Sequence, residues 1–272
     1  VYSNDFKFDT APTLGAKPNF EKLESLENVI GLIVDCTKAY ERKKTPSESV
    51  AKEMLKDVMV GTKSDGNLII VTTFSSHLAR LKSIIEQGKL KKRKIVMLGR
   101  SLDKYVSAGE TAEIIDFRDI KRITFKDKMR RILKKVSKDP GEYMLIVTGH
   151  QGEPEAVLSR MTYGNIRYPF QFEDQVIFSC GVIPNEENIQ NREKLEDELR
   201  KRKVRIFKDI HVSGHAAREE LRDLVHMVKP KNIFPAHGHP EMMEAFKELA
   251  LEIGYDDKNI HMMKNGNTSK LD

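Results

Sequence analysis

Two histidine-bearing loops stand near the end of the chain, His211-Val212-Ser213-Gly214-His215-Ala216 and Pro235-Ala236-His237-Gly238-His239-Pro240. Each directly follows an apolar, strand-like run, at 204–207 and 232–235. A histidine at a strand end beside a glycine is a natural metal ligand, because the strand fixes the ring while the turn exposes it. Gly214 and Gly238 let the backbone approach such a site closely. A lone loop histidine is more often a plain surface residue, so it is the pair of loops flanking one helix that makes ligation worth pursuing. His211 and His215 are four apart, but Gly214 between them argues against a zinc-binding helix of the HExxH kind. A third group, Ser3-Asn4-Asp5-Phe6-Lys7-Phe8-Asp9, brings aspartates at the start of the chain. His226 and His261 fall within a helical and a strand-like pattern and read as structural.

Phosphate binding is the second chemistry in view. Four apolar runs pass straight into small or polar loops that precede helical patterns: VTTF–SSH, VMLG–RS, IVTG–HQGEP and IFSC–GVIPNEEN. In an open α/β sheet, ligands bind at the carboxyl ends of strands, where helix amino termini present free N–H groups. Ser75, Ser76 and Ser101 add hydroxyl donors. Ordinary capping by serine explains any one of these loops. Four together in a basic chain favour a phosphate-rich ligand.

The elements that must position these residues alternate. Strands are expected at 29–35, 68–74, 94–98, 143–148, 175–180, 205–207, 232–235 and, weakly, 260–263. Helical patterns cover 47–59, 76–86, 125–137, 155–161, 188–202, 216–228 and 241–253. Continuous apolar strands separated by helices indicate a parallel sheet covered on both faces, an α/β fold. The charged tract 116–128 receives no assignment, and neither an internal repeat nor a low-complexity linker divides the chain.

Composition narrows the class. The 272 residues are 39% hydrophobic and 32% charged, the balance of a globular protein, and no apolar run approaches the roughly 20 residues of a membrane span. The opening VYSNDFKFD has neither the pattern of a signal peptide nor an initiator methionine, which fits a start inside a longer polypeptide. Cys36 and Cys180 follow apolar runs and read as buried free thiols, consistent with a reducing, cytoplasmic setting. The net charge of +6, with basic runs at 91–94, 121–138 and 200–203, favours a polyanionic partner.

Taken in order, the strings DFKFD, DCT followed by TPSE, TGHQGEPEAVLSRM, HVSGHA and PAHG resemble ribonuclease J of the archaeal type, in the β-CASP branch of the metallo-β-lactamase superfamily. The resemblance runs through essentially the whole chain. It implies a metallo-β-lactamase αββα fold, represented by 1–44 and 206–272, with a β-CASP domain inserted at 45–205. It also implies a zinc-dependent ribonuclease, with about two zinc ions in the complete site, that removes nucleotides 5′ to 3′ and prefers 5′-monophosphate ends.

Residue by residue, Asp5 matches the family's zinc-bridging aspartate and His237 its last metal-ligating histidine. Asp35 and His215 match an acid–histidine pair that serves proton transfer near the scissile phosphate, although Asp35 also reads as a simple turn cap after a buried strand. His211 and Ser213 match loop positions on RNA phosphate. His150, Gln151, Gly152 and Glu153 line the pocket for the RNA 5′ end, where family members usually carry a small residue in place of His150.

The family's first metal motif, HxHxDH, does not occur in this chain. The resemblance therefore implies a preceding metallo-β-lactamase segment, on the same or a separate chain, as a partner alongside RNA and a second copy in a homodimer. Two rival functions stay open: an RNA-binding β-CASP module or pseudoenzyme without its metal half, and an endonuclease or DNA hydrolase on the same scaffold.

Overall fold

The computed structural model describes residues 1–271. In chain order the strands are β1 (Tyr2–Ser3), β2 (Gly31–Asp35), β3 (Ile69–Thr72), β4 (Lys94–Leu98), β5 (Lys121–Ile123), β6 (Tyr143–Val147), β7 (Gln175–Phe178), β8 (Arg205–Phe207) and β9 (Asn232–Ala236). The helices are α1 (Phe20–Glu24), α2 (Glu48–Gly61), α3 (Leu78–Leu90), α4 (Arg100–Thr111), α5 (Lys126–Val136), α6 (Val157–Thr162), α7 (Glu186–Lys201), α8 (Arg218–Val228) and α9 (Pro240–Ile253). The chain divides into two compact units, one made of residues 1–12, 16–47 and 213–272, the other of 13–15 and 48–212.

The first unit holds a three-stranded parallel sheet in the order β1-β2-β9, with Ile33 opposite both Tyr2 and Phe234. Leu32 and Val34 point to the helix-covered side and are fully buried with Leu221, Leu224, Phe246 and Leu249. Side chains alternate along a strand, so Ile33 faces the other way and is 41% exposed. On that side Tyr2, Gly31, Ile33 and Phe234 line an open, mostly apolar recess. Helix α9 starts on Pro240, whose fixed φ suits the first helical position, and stops at Gly254 with φ +104°.

The second unit is a six-stranded parallel sheet, order β5-β4-β6-β3-β7-β8, packed on both faces. Leu68, Ile70, Val96, Leu98, Leu145, Val147, Val176 and Phe178 enter one core, against α5, α6 and α7. Ile69, Val71, Ile95, Met97, Met144, Ile146 and Ile177 enter the other, against α2, α3 and α4. This explains why these strands read as unbroken apolar runs: both pleat faces are covered, and each fully buried aliphatic side chain contributes roughly 1.5–3 kcal/mol. Helix α7 is marked at both ends, by the Asn185 side chain accepting from the Asn188 N–H and by Arg200 and Lys201 in its last turn.

Several elements differ from the sequence expectation. The strands β1 and β5 and the helices α1 and α4 were not expected; β1 and β5 are too short for a periodicity to register. The expected strand at 260–263 reduces to one bridge between Ile260 and Ile233. Gln175, Val176 and Ile177 pair with Arg205, Ile206 and Phe207, so β8 belongs to the six-stranded sheet and the second unit runs on to residue 212.

Candidate metal centre

The carboxyl ends of the three parallel strands in the first unit supply most of the candidate site. Asp5 lies two residues past β1, Asp35 ends β2, and His237 follows β9 directly. His215 arrives on the loop before α8, pinned where the Ala216 N–H donates to the Phe6 carbonyl at 2.6 Å and Thr45 Oγ1 donates to the His215 carbonyl at 2.7 Å. Asp5 and His237 both take left-handed backbone angles, φ +47° and +56°. Such conformations are strained for residues with a side chain and collect where a ligand or reaction requires them. Gly238 is forced by contact: a Cβ there would come within 2.7 Å of Cys36 Sγ and 3.0 Å of Met242 Cβ.

The donors converge. His237 Nε2 is 3.1 Å and His215 Nδ1 3.5 Å from Asp5 Oδ1, and ligand atoms of all three residues lie within 4.8 Å of one another. The two imidazoles stack with centroids 5.8 Å apart. One carboxylate with two imidazoles is a donor set that suits zinc, with a coordination position left open. Asp5 is 62% exposed, so that position is accessible to water or substrate.

Asp35, at 2% exposure, is the buried anchor. It accepts from His215 Nδ1 at 2.5 Å and from the Thr37 N–H at 2.8 Å. Thr37 Oγ1 lies 2.5 Å from the Asp35 carboxylate and 2.8 Å from the His237 carbonyl, joining the two strand ends. Burial by itself raises the Asp35 pKa, but the hydrogen bonds from His215 and Thr37 outweigh it and hold the carboxyl below its usual range. The same hydrogen bond raises the His215 pKa against desolvation. The pair is thus an ion pair over a range of pH, with the carboxylate fixing the ring orientation and committing Nδ1, so Nε2 is the atom left for chemistry.

Glu220 on α8 holds this arrangement from behind and was not singled out in the sequence. It is 2% exposed and accepts backbone N–H groups from three segments, Phe8 at 2.8 Å, Thr45 at 2.8 Å and Ala217 at 3.0 Å. The segment carrying Asp5 and the loop carrying His215 are therefore tied to one carboxylate. A signal did exist: Glu220 stands three residues after the helix-cap position Ala217, where capping boxes place a Glu.

The remaining candidates divide between the units. Ser213 lies in the first unit and accepts the His215 N–H at 3.0 Å, which shapes the loop. In the second unit, Ser75 Oγ sits 2.9 Å from Ser101 Oγ beyond the ends of β3 and β4, and Ser76 is exposed beside it. After β6, the His150 ring meets Phe74 edge-on at 4.3 Å, and burial lowers its pKa against the pull of Glu153. Gln151 has both amide atoms engaged, Nε2 donating to the Gly181 carbonyl and Oε1 accepting the Ile183 N–H, while Glu153 accepts the Gln151 N–H. Gly152 is required, since φ is +78° and a Cβ would meet the Asn191 carbonyl at 2.4 Å.

His211 stands beside Gly181 and 3.5 Å from the guanidinium of Arg80. Arg80, also missed in the sequence, is fully buried; it pairs with Glu48 and donates to the Ser179 and Ile210 carbonyls. The loops after β6, β7 and β8 are thus cross-linked within the second unit. Both cysteines are free and buried, their thiols pushed up to about 12 by burial.

Comparison with known proteins relates the chain to one group of enzymes. A family model described as ribonuclease J, β-CASP domain, matches residues 66–194, and one described as Zn-dependent metallo-hydrolase RNA specificity domain matches 201–263. Ribonuclease J of Pyrococcus abyssi is 41% identical over all of this chain, and that of Methanocaldococcus jannaschii 38% identical over 98% of it. Ribonuclease J of Sinorhizobium meliloti is 28% identical over the whole chain. The chain spans 60% of the length of the two archaeal relatives and 47% of the third. With the two domain models in order along it, the chain carries a ribonuclease J β-CASP domain followed by a Zn-dependent metallo-hydrolase RNA specificity domain, and it is similar to ribonuclease J throughout its length.

Proposed function

We propose that this chain is the larger part of a zinc-dependent ribonuclease that hydrolyses RNA phosphodiesters stepwise from a 5′-monophosphate end. The observation that carries the reading is the convergence of Asp5, His215 and His237, with His215 held by the buried Asp35. Asp5 and His237 would hold zinc, which when bound neutralises phosphate charge and activates water. His215, kept cationic by Asp35, is placed to give a proton to the leaving 3′ oxygen from Nε2, while Asp35 preserves its tautomer. Asp5, with two oxygens on a short side chain, suits a bridge between two ions, and in this reading Asp5 and His237 are the two donors that this chain supplies. A second ion needs further ligands, which fits a natural polypeptide longer than this chain, as does the open apolar face of the three-stranded sheet.

In the second unit, the strand-end loops bearing Ser75, Ser76, His150 and Glu153 are the proposed receptor for the 5′ phosphate. A pocket that takes a monophosphate would reject the added bulk and charge of a triphosphate. A second reading, favoured by the clustering of ligand atoms, makes His215 a zinc ligand through Nε2, with Asp35 orienting it.

The test uses the full-length natural polypeptide and one RNA labelled at its 5′ or 3′ end, bearing a 5′ mono- or triphosphate. Early labelled mononucleotide from the 5′ label, with faster decay of the monophosphate, is expected. Mononucleotide arising first from the 3′ label would overturn the polarity, and internal fragments alone would favour an endonuclease. Equal cleavage of a matched DNA strand would move the substrate away from RNA.

A further inference from the structure

The three basic runs of the sequence have different fates in the fold. At 200–203, Arg200 pairs with Glu196 and Asp197, and Lys201 and Arg202 pair with Glu198. At 91–94, Arg93 turns inward to the Asn67 and Ser64 carbonyls, and Lys94 pairs with Glu142. The third run, on α5, is organised in another way. Met129, Ile132, Leu133 and Val136 bury one stripe of the helix. The rest of its circumference is exposed and carries Lys126, Lys128, Arg130, Arg131, Lys134 and Lys135, with Lys138 just beyond. The helix has a single acid, Asp127, which Arg130 approaches at 3.3 Å. Among the described residues, Arg131, Lys134, Lys135 and Lys138 make no ion pair with a carboxylate.

That arrangement works against the helix. Arg130–Lys134 and Arg131–Lys135 are four apart, Lys128–Arg131 and Arg131–Lys134 three apart, so like charges stack on successive turns and repel. Solubility alone asks only for a polar face, and α7 shows that this chain builds such faces with paired charges. Phe125 adds a second feature. It occupies the position before the helix, where a polar cap is usual, and is 69% exposed, with Lys128 Nζ 5.6 Å from its ring centroid. Cationic side chains beside an exposed aromatic ring match a single-stranded nucleic acid, whose phosphates relieve the repulsion and whose bases stack on the ring.

We propose that the exposed face of α5, with Phe125 at its amino end, is a docking surface for single-stranded RNA. The charge and the aromatic ring carry the claim of strand binding; the choice of RNA over DNA rests on the ribonuclease reading above.

The test is an anisotropy titration of the 272-residue chain with a labelled oligouridine strand, under chelator, across a salt series. The variant R131Q/K134Q/K135Q/K138Q keeps good helix formers, and circular dichroism checks its fold. Its affinity should fall by at least about 10-fold at low salt. The slope of log affinity against log salt should shrink by about 2–3, since each contact to a single strand contributes roughly 0.7. The variant R200Q/K201Q/R202Q should bind like the parent. F125A should weaken single-strand binding by about 5- to 100-fold, the usual worth of one stacked base, leave duplex RNA binding unchanged, and be restored by F125Y. Parental affinity and slope in the quadruple variant would overturn the proposal. So would tighter binding of a matched DNA strand, or variants that lose binding to phosphatidylserine vesicles but not to RNA. Binding is read without turnover, so a failure to cleave RNA would sink the ribonuclease reading and leave the claim of strand binding standing.

Discussion

Replacing Asp35 by asparagine probes the pair on which the proposed chemistry depends. The carboxylate is 2% exposed and accepts from His215 Nδ1 and from the Thr37 N–H. Asparagine has the same shape but only one acceptor oxygen. With that oxygen on Thr37, its NH2 faces His215 Nδ1, which must then be unprotonated. A hydrogen bond between ionised groups, worth about 1.5–3 kcal/mol, becomes a neutral one worth about 0.5–1.5, so the variant should lose about 1–2 kcal/mol.

The loss depends on pH. The folded pKa of Asp35 is lowered, so its contribution is present above the unfolded value near 4 and fades as pH falls through the folded one. The folded pKa of His215 is raised, so its contribution is complete below about 6.5 and fades as pH rises through the folded one. Urea unfolding of metal-free protein at about pH 5.5 should therefore show the full difference from the parent, and at about pH 9 a smaller one. Imidazole nitrogen shifts should report His215 switching its proton to Nε2. Equal loss at both pH values, or a larger loss at the higher, would refute the ion pair.

Other outcomes follow from the same geometry. Asp5→Ala should lower bound zinc and abolish turnover of the full-length protein, whereas His215→Ala should keep zinc and lose about 10²–10⁴-fold in rate. Metal analysis decides between the two roles, since loss of zinc in His215→Ala makes that residue a ligand. Glu220→Gln turns an amide NH2 toward backbone donors that now share a carboxylate, and should cost about 2–4 kcal/mol in denaturant unfolding; an unchanged midpoint would remove Glu220 as an anchor. Gly152→Ala, at a left-handed φ with its Cβ against the Asn191 carbonyl, should cost more than about 2 kcal/mol. A parental melting curve would contradict the close packing described for that loop.

Most of the framework was legible in the residues because one physical signal covers it. The six-stranded sheet buries both faces, so β3, β4, β6 and β7 had to be apolar throughout, and the helices between them show their buried stripes. That signal fails where elements are too short or too charged: β1 has two residues, and β5 lies in a tract rich in Lys, Arg and Asp. His215 and His237 stood out because histidines beside Gly near strand ends are unusual types in informative places, while the roles of Asp5 and Asp35 came from the family resemblance. Their convergence was an inference from resemblance until parallel pairing brought the ends of β1, β2 and β9 into register.

What the sequence by itself determined, then, was the α/β class, the identity of the candidate ligands and the basic character of the surface, since these rest on residue type and local period. What only the tertiary structure decided was partnership. Glu220 collects N–H groups from Phe8, Thr45 and Ala217, residues far apart in the chain, and no local pattern announces that reach. Arg80 likewise reads as one more surface cation until the fold encloses it with Glu48. Of three similar basic runs, the one at 200–202 pairs with acids on its own helix while Arg131, Lys134 and Lys135 on α5 do not, because whether a charge has a partner is settled by what the fold brings beside it.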